Sequence, residues 1–170
     1  MVIDQEQEHV LLELLNTTPV VDGAVQDQLN ASGAKAWQRA HGGNGTEEER
    51  GHLVRARGVL QDTAGGNYDA DALSELLDGV AYRPRIGDEG LVWDLDAPPA
   101  RRVAVQAVLT WFALHRTKPG RLRPCANPEC RLFLLDRSKP NKARWCSMAV
   151  CGNRMKARRH YQRAREEAAE

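Results

Sequence analysis

The chain has 170 residues, 42% of them hydrophobic, which is enough for one domain with a buried core or for one domain with a small module. The sequence predicts neither a signal peptide nor a membrane span. Its first residues lack a basic region followed by an apolar run, and no stretch approaches the roughly 18 consecutive apolar residues of a span. We therefore expect a cytoplasmic protein, in which clustered cysteines favour metal binding over disulfides.

The net charge of +1 conceals two oppositely charged halves. Residues 1–100 contain 7 basic and 18 acidic residues, a balance of −11. Residues 101–170 contain 17 basic and 5 acidic residues, a balance of +12. A basic half of this kind suits a polyanionic partner. The alternative is that the two halves neutralise each other, and this alternative is compatible with binding.

Hydrophobic periodicity predicts a mainly helical N-terminal half, with helices over residues 10–15, 26–40, 46–62, 69–77 and 101–116. Thr46, followed three residues later by Glu49, is typical of a capping box. Residues 82–86 and 91–95 flank a Gly-Asp-Glu-Gly stretch and predict a β-hairpin with a four-residue loop. Pro119 and Gly120 mark the predicted boundary between a domain over residues 1–118 and a smaller one over residues 119–170.

All four cysteines fall within 27 residues, as two Cys-x4-Cys pairs separated by 15 residues: Cys125, Cys130, Cys146 and Cys151. Zn²⁺ binds four thiolates at the corners of a tetrahedron, with sulfurs about 3.8 Å apart. The sequence therefore predicts one structural zinc ion per chain, with no open position for a catalytic water. Two disulfides, a redox-active dithiol and an iron–sulfur cluster are the alternatives.

The segment around these cysteines predicts a small finger. Asn127-Pro128 favours a turn between the first pair, and residues 131–136 and 143–145 are predicted to pair as a hairpin. Ser147 is a suitable N-cap for a helix over residues 148–167, which would place Cys151 in its first turns. This layout is that of a treble clef. The predicted fold class is α+β, mainly helical: a helical domain with a β-hairpin, then a four-cysteine zinc finger with a long basic C-terminal helix.

The finger and its helix are strongly cationic, with 13 basic and 2 acidic residues over residues 121–165. Arginine predominates over lysine, and its planar guanidinium binds phosphate bidentately and pairs with guanine. The predicted nucleic-acid contacts are Arg137, Lys139, Lys142, Arg144, Arg154, Lys156, Arg158, Arg159, Arg163 and Arg165. The alternative is a solvated helix surface, but such a helix usually interleaves the two signs of charge, and no acidic residue lies between positions 154 and 165.

Four motifs closely resemble the bacterial CGNR zinc finger family: Cys-Ala-Asn-Pro-Glu-Cys at residues 125–130, Asp-Arg-Ser at 136–138, Arg-Trp-Cys-Ser-Met at 144–148 and Cys-Gly-Asn-Arg-x-Lys at 151–156. The resemblance covers about residues 122–163 and implies that the four cysteines bind zinc. In that family the finger follows a helical ABATE domain, which residues 9–116 resemble in outline. Leu-Leu-Asn-Thr at residues 14–17 resembles its opening motif, although Leu15 replaces the usual aromatic residue and Glu13 the usual Asp.

Two functions remain open at this level. The resemblance implies a transcriptional regulator, so the first is a DNA-binding protein whose N-terminal domain senses a small molecule or a protein partner. The second is an RNA-binding or protein-interaction module without DNA specificity. No Ser-His-Asp or Cys-His pattern stands out, and we expect no enzymatic activity.

Overall fold

The computed structural model describes residues 4–30, 32–88 and 90–167. Its α-helices are α1 (Gln5–Leu15), α2 (Ala34–Ala40), α3 (Glu47–Ala64), α4 (Ala70–Leu76), α5 (Arg102–Thr117) and α6 (Asn153–Glu167). The described strands form three antiparallel pairs: β1 (Val20–Val21) with β2 (Ala24–Val25), β3 (Ala81–Gly87) with β4 (Gly90–Asp96), and β5 (Leu122–Pro124) with β6 (Phe133–Leu135). About 51% of the chain is helical, which confirms a mainly helical fold with small sheets.

The hydrophobic core lies between α1, α3 and α5, whose apolar side chains recur at helical spacing. Leu11 of α1, Leu53 of α3 and Val108 of α5 are fully buried in it. Phe133 of β6 belongs to the same cluster. The core therefore continues from the helical half into the segment that carries the cysteines, across the predicted boundary near residue 118. The existence of two independent domains stays a prediction.

The second predicted helix, over residues 26–40, is wrong in its first half, because α2 begins only at Ala34. Two short polar side chains hold the preceding backbone in turns instead. Asp27 accepts a hydrogen bond from the Leu29 N–H at 2.9 Å, and Asn30 accepts one from the Gly33 N–H at 2.8 Å. Such local bonds offer the backbone an alternative to helix.

Asp27 is also held by a buried arginine. Arg57 of α3 donates to both Asp27 carboxylate oxygens, at 2.6 and 2.8 Å, and to the Thr17 hydroxyl at 2.9 Å. The hydrogen bond from Arg57 lowers the pKa of Asp27. These bonds fasten the segment between α1 and α2 to α3. Thr17, part of the predicted Leu-Leu-Asn-Thr motif, therefore has a structural role.

The other predicted helices of the N-terminal half and the hairpin agree with the structure, although α1 begins at Gln5 rather than near Val10. Thr46 caps α3 by accepting the Glu49 N–H at 3.2 Å. The Glu49 carboxylate accepts the Gly45 N–H at 2.8 Å rather than the Thr46 N–H that the capping box would require. In the β3–β4 hairpin, Gly87 pairs with Gly90, so two residues connect the strands instead of four. Of these two, Glu89 lies outside the described residues.

Among the described residues, no helix combines the length and apolar character needed to cross a bilayer.

Candidate metal centre

The first cysteine pair lies in the loop between β5 and β6. The Cys125 N–H donates to the Leu132 carbonyl at 2.8 Å and continues the strand pairing. The Cys130 N–H donates to the Asn127 carbonyl at 2.9 Å, which closes the predicted Asn-Pro turn. Both thiols therefore lie at the end of one hairpin.

The predicted hairpin between residues 131–136 and 143–145 is wrong, because β6 pairs with β5. The stretch before Cys146 is held by isolated bonds rather than by a strand ladder. The Ala126 N–H donates to the Arg144 carbonyl at 2.8 Å, and the Arg123 guanidinium donates to the Ala143 carbonyl at 2.6 and 3.0 Å. Side-chain bonds of this kind leave no periodic signal in the sequence.

The second pair is brought together by a wide turn that precedes α6. Residues Met148–Gly152 form one π-helical turn, and the Gly152 N–H donates to the Ser147 carbonyl at 3.0 Å. A π-helical turn joins residues five apart, which is the separation of Cys146 and Cys151. The turn thus accounts for the x4 spacing. Ser147 caps it as predicted, by accepting the Val150 N–H at 3.4 Å.

The four sulfur atoms are spaced as a zinc tetrahedron requires. All four Sγ atoms lie within 4.8 Å of one another. Cys146 Sγ lies 3.7 Å from that of Cys130 and 3.6 Å from that of Cys151. The edge of a tetrahedron with Zn–S bonds near 2.3 Å is about 3.8 Å. All four are free thiols, at separations far beyond a disulfide bond of about 2.05 Å. The donor set fits Zn²⁺, and its four ligands would be Cys125, Cys130, Cys146 and Cys151.

Three of the sulfurs accept N–H groups at 3.4 Å. The donors are the Cys146 backbone to Cys125, the Leu132 backbone to Cys130, and the Asn127 side chain to Cys151. N–H donors stabilise thiolate against thiol, and they fix the direction of each sulfur. The hairpin and the π-helical turn therefore orient the ligands as well as bringing them together.

Two of the thiols resist ionisation in the absence of metal. Burial raises the pKa of Cys130 to about 11. Burial and the neighbouring Cys151 and Cys130 thiols also raise the pKa of Cys146. Burial acts on Cys151 as well, but the hydrogen bonds from Asn127 and Cys146 outweigh it and lower its pKa. Because zinc binds the thiolate form, the ion has to displace protons from this cluster.

The three residues after Cys151 have distinct structural roles. A Cβ on Gly152 would lie 2.8 Å from the Met148 sulfur and 3.2 Å from Trp145 Cδ1, so glycine lets both side chains close over the turn. The Asn153 side chain donates to the Ala149 carbonyl at 3.2 Å and satisfies an acceptor at the change from π- to α-helix. Arg154 lies 4.0 Å from the Glu129 carboxylate on the first cysteine loop. Gly152 and Asn153 thus shape the turn of the second ligand pair, and Arg154 connects it to the loop of the first pair.

A buried carboxylate organises the loop between β6 and Cys146. Asp136 accepts hydrogen bonds from the Ser138 N–H and Ala143 N–H, both at 2.8 Å, and from Arg123 at 2.7 Å. Hydrogen bonding by Ser138 lowers the pKa of Asp136 to about 2, with smaller contributions from Ala143 and Arg123. The loop that carries Lys139 and Lys142 is therefore fixed at both ends.

The structure separates the ten predicted nucleic-acid contacts into two groups. Arg137 pairs with Glu8 of α1 at 3.4 Å, Arg154 and Arg158 pair with Glu129, and Arg144 lies over the Trp145 ring at 5.1 Å. The other six are exposed and have no ion pair within the described residues: Lys139, Lys142, Lys156, Arg159, Arg163 and Arg165.

Sequence reasoning missed three residues that build the site. Asn127 was noted only as a turn residue, although an Asn between two cysteines can also donate to a sulfur. Arg123 enters the sequence analysis only through the count of basic residues over 121–165, and its contact with Asp136 has no sequence signal. Asn16 was noted for its motif, but its bonds to Phe133, 117 residues away, could not be predicted.

Four thiols at tetrahedral spacing, with N–H donors aimed at three of them, define a four-cysteine zinc-binding module. Residues 121–164 match the family model of the CGNR zinc finger, which confirms the resemblance over that segment. A comparison with curated proteins found no match. The C-terminal segment is therefore a CGNR-type zinc finger, with zinc as its cofactor.

Proposed function

We propose that the chain is a transcriptional regulator that binds duplex DNA through its finger and basic helix. One observation carries the proposal: six of the ten predicted contact residues are exposed and have neither an acidic nor an aromatic partner within the described residues. A cation that serves only solubility usually lies among charges of the opposite sign. Unpaired arginines on a zinc-braced scaffold suit phosphate oxygens.

The two sides of α6 differ in their contacts. At 100° per residue, Lys156, Arg159 and Arg163 share one stripe, and Arg154 and Arg158 lie on the opposite side. The side with Arg154 and Arg158 faces Glu129, and these ion pairs hold the first turns of α6 against the first cysteine loop. The stripe with Lys156 is left to solvent. We assign phosphate binding to this stripe and to the loop with Lys139 and Lys142.

The isolation of α6 supports the same role. None of its side chains is buried, and the side chain of its tyrosine, Tyr161, is 71% exposed. A helix that is polar all round gains little from tertiary packing. Contact with a polyanion would supply the missing stabilisation. The hairpin β5–β6, the π-helical turn and α6 correspond in order to a treble clef, and we propose that fold for the finger.

We further propose that the N-terminal half senses a ligand or partner. A cavity of about 370 Å³ lies between α1, α5 and the end of β4, and its walls include Val10, His41, Leu95 and Gln106. The Gln106 amide nitrogen is buried without a hydrogen-bond partner among the described residues. A bound acceptor would satisfy it. In this account the zinc is structural, because four sulfur ligands would leave it no open position, and we propose no enzymatic activity.

Equilibrium binding of the zinc-loaded full chain tests the proposal. Random-sequence duplex DNA, single-stranded RNA and a non-nucleic polyanion are compared at several salt concentrations, followed by selection from the duplex pool. We expect duplex DNA to bind more tightly than about 10⁻⁴ M at low salt and selection to enrich one sequence. Preferential binding of RNA would favour the RNA-binding alternative. Binding to neither nucleic acid would favour the protein-interaction alternative.

A further inference from the structure

The β3–β4 hairpin has one wholly apolar face. Its register places Tyr82 opposite Leu95, Pro84 opposite Trp93 and Ile86 opposite Leu91, and directly opposed residues share a face. The side chains of Ile86 and Leu91, nearest the turn, are 78% and 59% exposed, and that of Trp93 is 57% exposed. A two-stranded hairpin is marginal in water, whereas three or more strands that share an apolar face are more stable, so pairing with further strands would stabilise this hairpin.

The opposite face carries no net charge. Arg83 pairs with Asp96 at 2.5 Å and Arg85 pairs with Asp94 at 2.7 Å, both within the hairpin. The arginines are thus neutralised by their own neighbours. A second copy of the same hairpin would meet no repulsion between these faces.

The outer edge of β4 is the more suitable of the two hairpin edges for a further strand. Gly87 and Gly90 close the turn as a hydrogen-bonded pair, and hydrogen-bonded and non-hydrogen-bonded pairs alternate from there along the two strands. The residues of the apolar face all belong to non-hydrogen-bonded pairs. Their backbone N–H and C=O groups therefore point away from the partner strand, toward the outer edges of the hairpin. Pro84 removes a donor from the outer edge of β3. The outer edge of β4 keeps the N–H groups of Leu91, Trp93 and Leu95. Within the described residues, no other strand pairs with this hairpin.

We propose that two copies of this chain dimerise by pairing their β4 strands antiparallel about a two-fold axis at Trp93. The sequence of β4 is symmetric about this residue on the apolar face, as Leu-x-Trp-x-Leu. Pairing on the axis brings Trp93 beside the partner's Trp93 and Leu91 beside the partner's Leu95. The product is a four-stranded sheet with a continuous apolar face. A two-fold axis requires a self-complementary surface of this kind.

Sedimentation velocity of the zinc-loaded full chain, from about 1 to 200 μM, measures the association directly. We expect a monomer–dimer equilibrium that Trp93→Lys weakens at least about tenfold, because it removes the central contact and opposes two charges. Val92→Lys is the matched control. It lies on the other face, where pairing would place it opposite the partner's Asp94, and it should leave the dimer intact. Leu91→Lys provides a second disruptive variant, and melting curves with zinc analysis verify that each variant is folded.

Hydrogen exchange of the wild-type chain identifies the paired edge without any substitution. The amides of Leu91, Trp93 and Leu95 should become protected as concentration rises, while those of Tyr82 and Ile86 stay unchanged. A monomer at every concentration overturns the proposal. So does a dimer that the folded Trp93→Lys and Leu91→Lys variants retain, or one in which the β4 amides gain no protection.

Discussion

Asn16 at the end of α1 pairs with the backbone of Phe133 in β6 much as a neighbouring strand would. Its side-chain oxygen accepts the Phe133 N–H at 2.7 Å, and its side-chain nitrogen donates to the Phe133 carbonyl at 3.2 Å. The Phe133 ring is buried in the core formed by the N-terminal helices. One residue of the finger is therefore bound to the helical half through both its backbone and its side chain.

Replacing this asparagine should weaken the connection between the two halves. Asn16→Ala leaves two half-buried backbone groups of Phe133 without partners, which costs about 1–3 kcal/mol. Chemical denaturation should show the loss, with zinc content unchanged. The matched control is Asn67→Ala, an exposed asparagine, which should change stability by less than about 0.5 kcal/mol. Equal stability of Asn16→Ala and wild type would mean that these two hydrogen bonds contribute nothing to the connection.

Zinc removal should destabilise more than the finger. Without the ion, β5, β6 and the π-helical turn lose the ligand bonds that hold them together, and Phe133 loses its support in the core. Calorimetry with and without a chelator should show that the melting temperature of the helical half falls too. A helical half that melts identically in both conditions would contradict the coupling. Restoring zinc should restore the original profile.

The raised pKa values of Cys130 and Cys146 predict a large proton release on zinc binding. At pH 7 both groups are protonated in the metal-free form, so at least about two protons should leave per ion bound. Zinc affinity should consequently fall as pH falls. Titration calorimetry in buffers of different ionisation enthalpy measures the number of protons. Fewer than about two would show that the thiols are already ionised.

The pKa of Asp136 is shifted in the opposite direction to those of the two cysteines. Its pKa of about 2 lies below the ordinary value of 3.8. The stability it contributes is therefore fully present above about pH 4 and is lost as pH falls toward 2. Asp136→Asn removes the charge that Arg123 contacts, so it should destabilise the finger by an amount that is constant between pH 5 and 8. A difference that changes across that interval would require another titrating group.

The sequence predicted those elements whose determinants are local. Thr46 and Ser147 each cap a helical segment as predicted, and the alternating pattern around Gly87 and Gly90 forms the hairpin. The cysteine set was also accessible, because metal ligands are scarce residue types with characteristic spacing. The turn at Asp22-Gly23, which joins β1 to β2, carries a typical hairpin dipeptide and was overlooked.

The remaining features depend on contacts between distant residues. The side chain of Arg123 in β5 holds the loop before Cys146, so this loop is fixed without becoming a strand. The predicted strand pairing is wrong for that reason. The sequence also could not show which cations are paired and which are free, because Arg158 pairs with Glu129, 29 residues away in the chain. Whether a cation is free or paired is decided by tertiary structure. Composition alone reports only the total charge.

The salt dependence of DNA binding by charge variants of the full chain tests the central claim most directly. Each phosphate contact adds nearly one unit to the slope of log K against log salt, so Lys156→Ala with Arg159→Ala should flatten that slope by up to about two units. Glu129→Gln provides the matched contrast, because it releases Arg154 and Arg158 and should leave the slope unchanged or steeper. A double variant with the wild-type slope and affinity would contradict the assignment of DNA binding to α6.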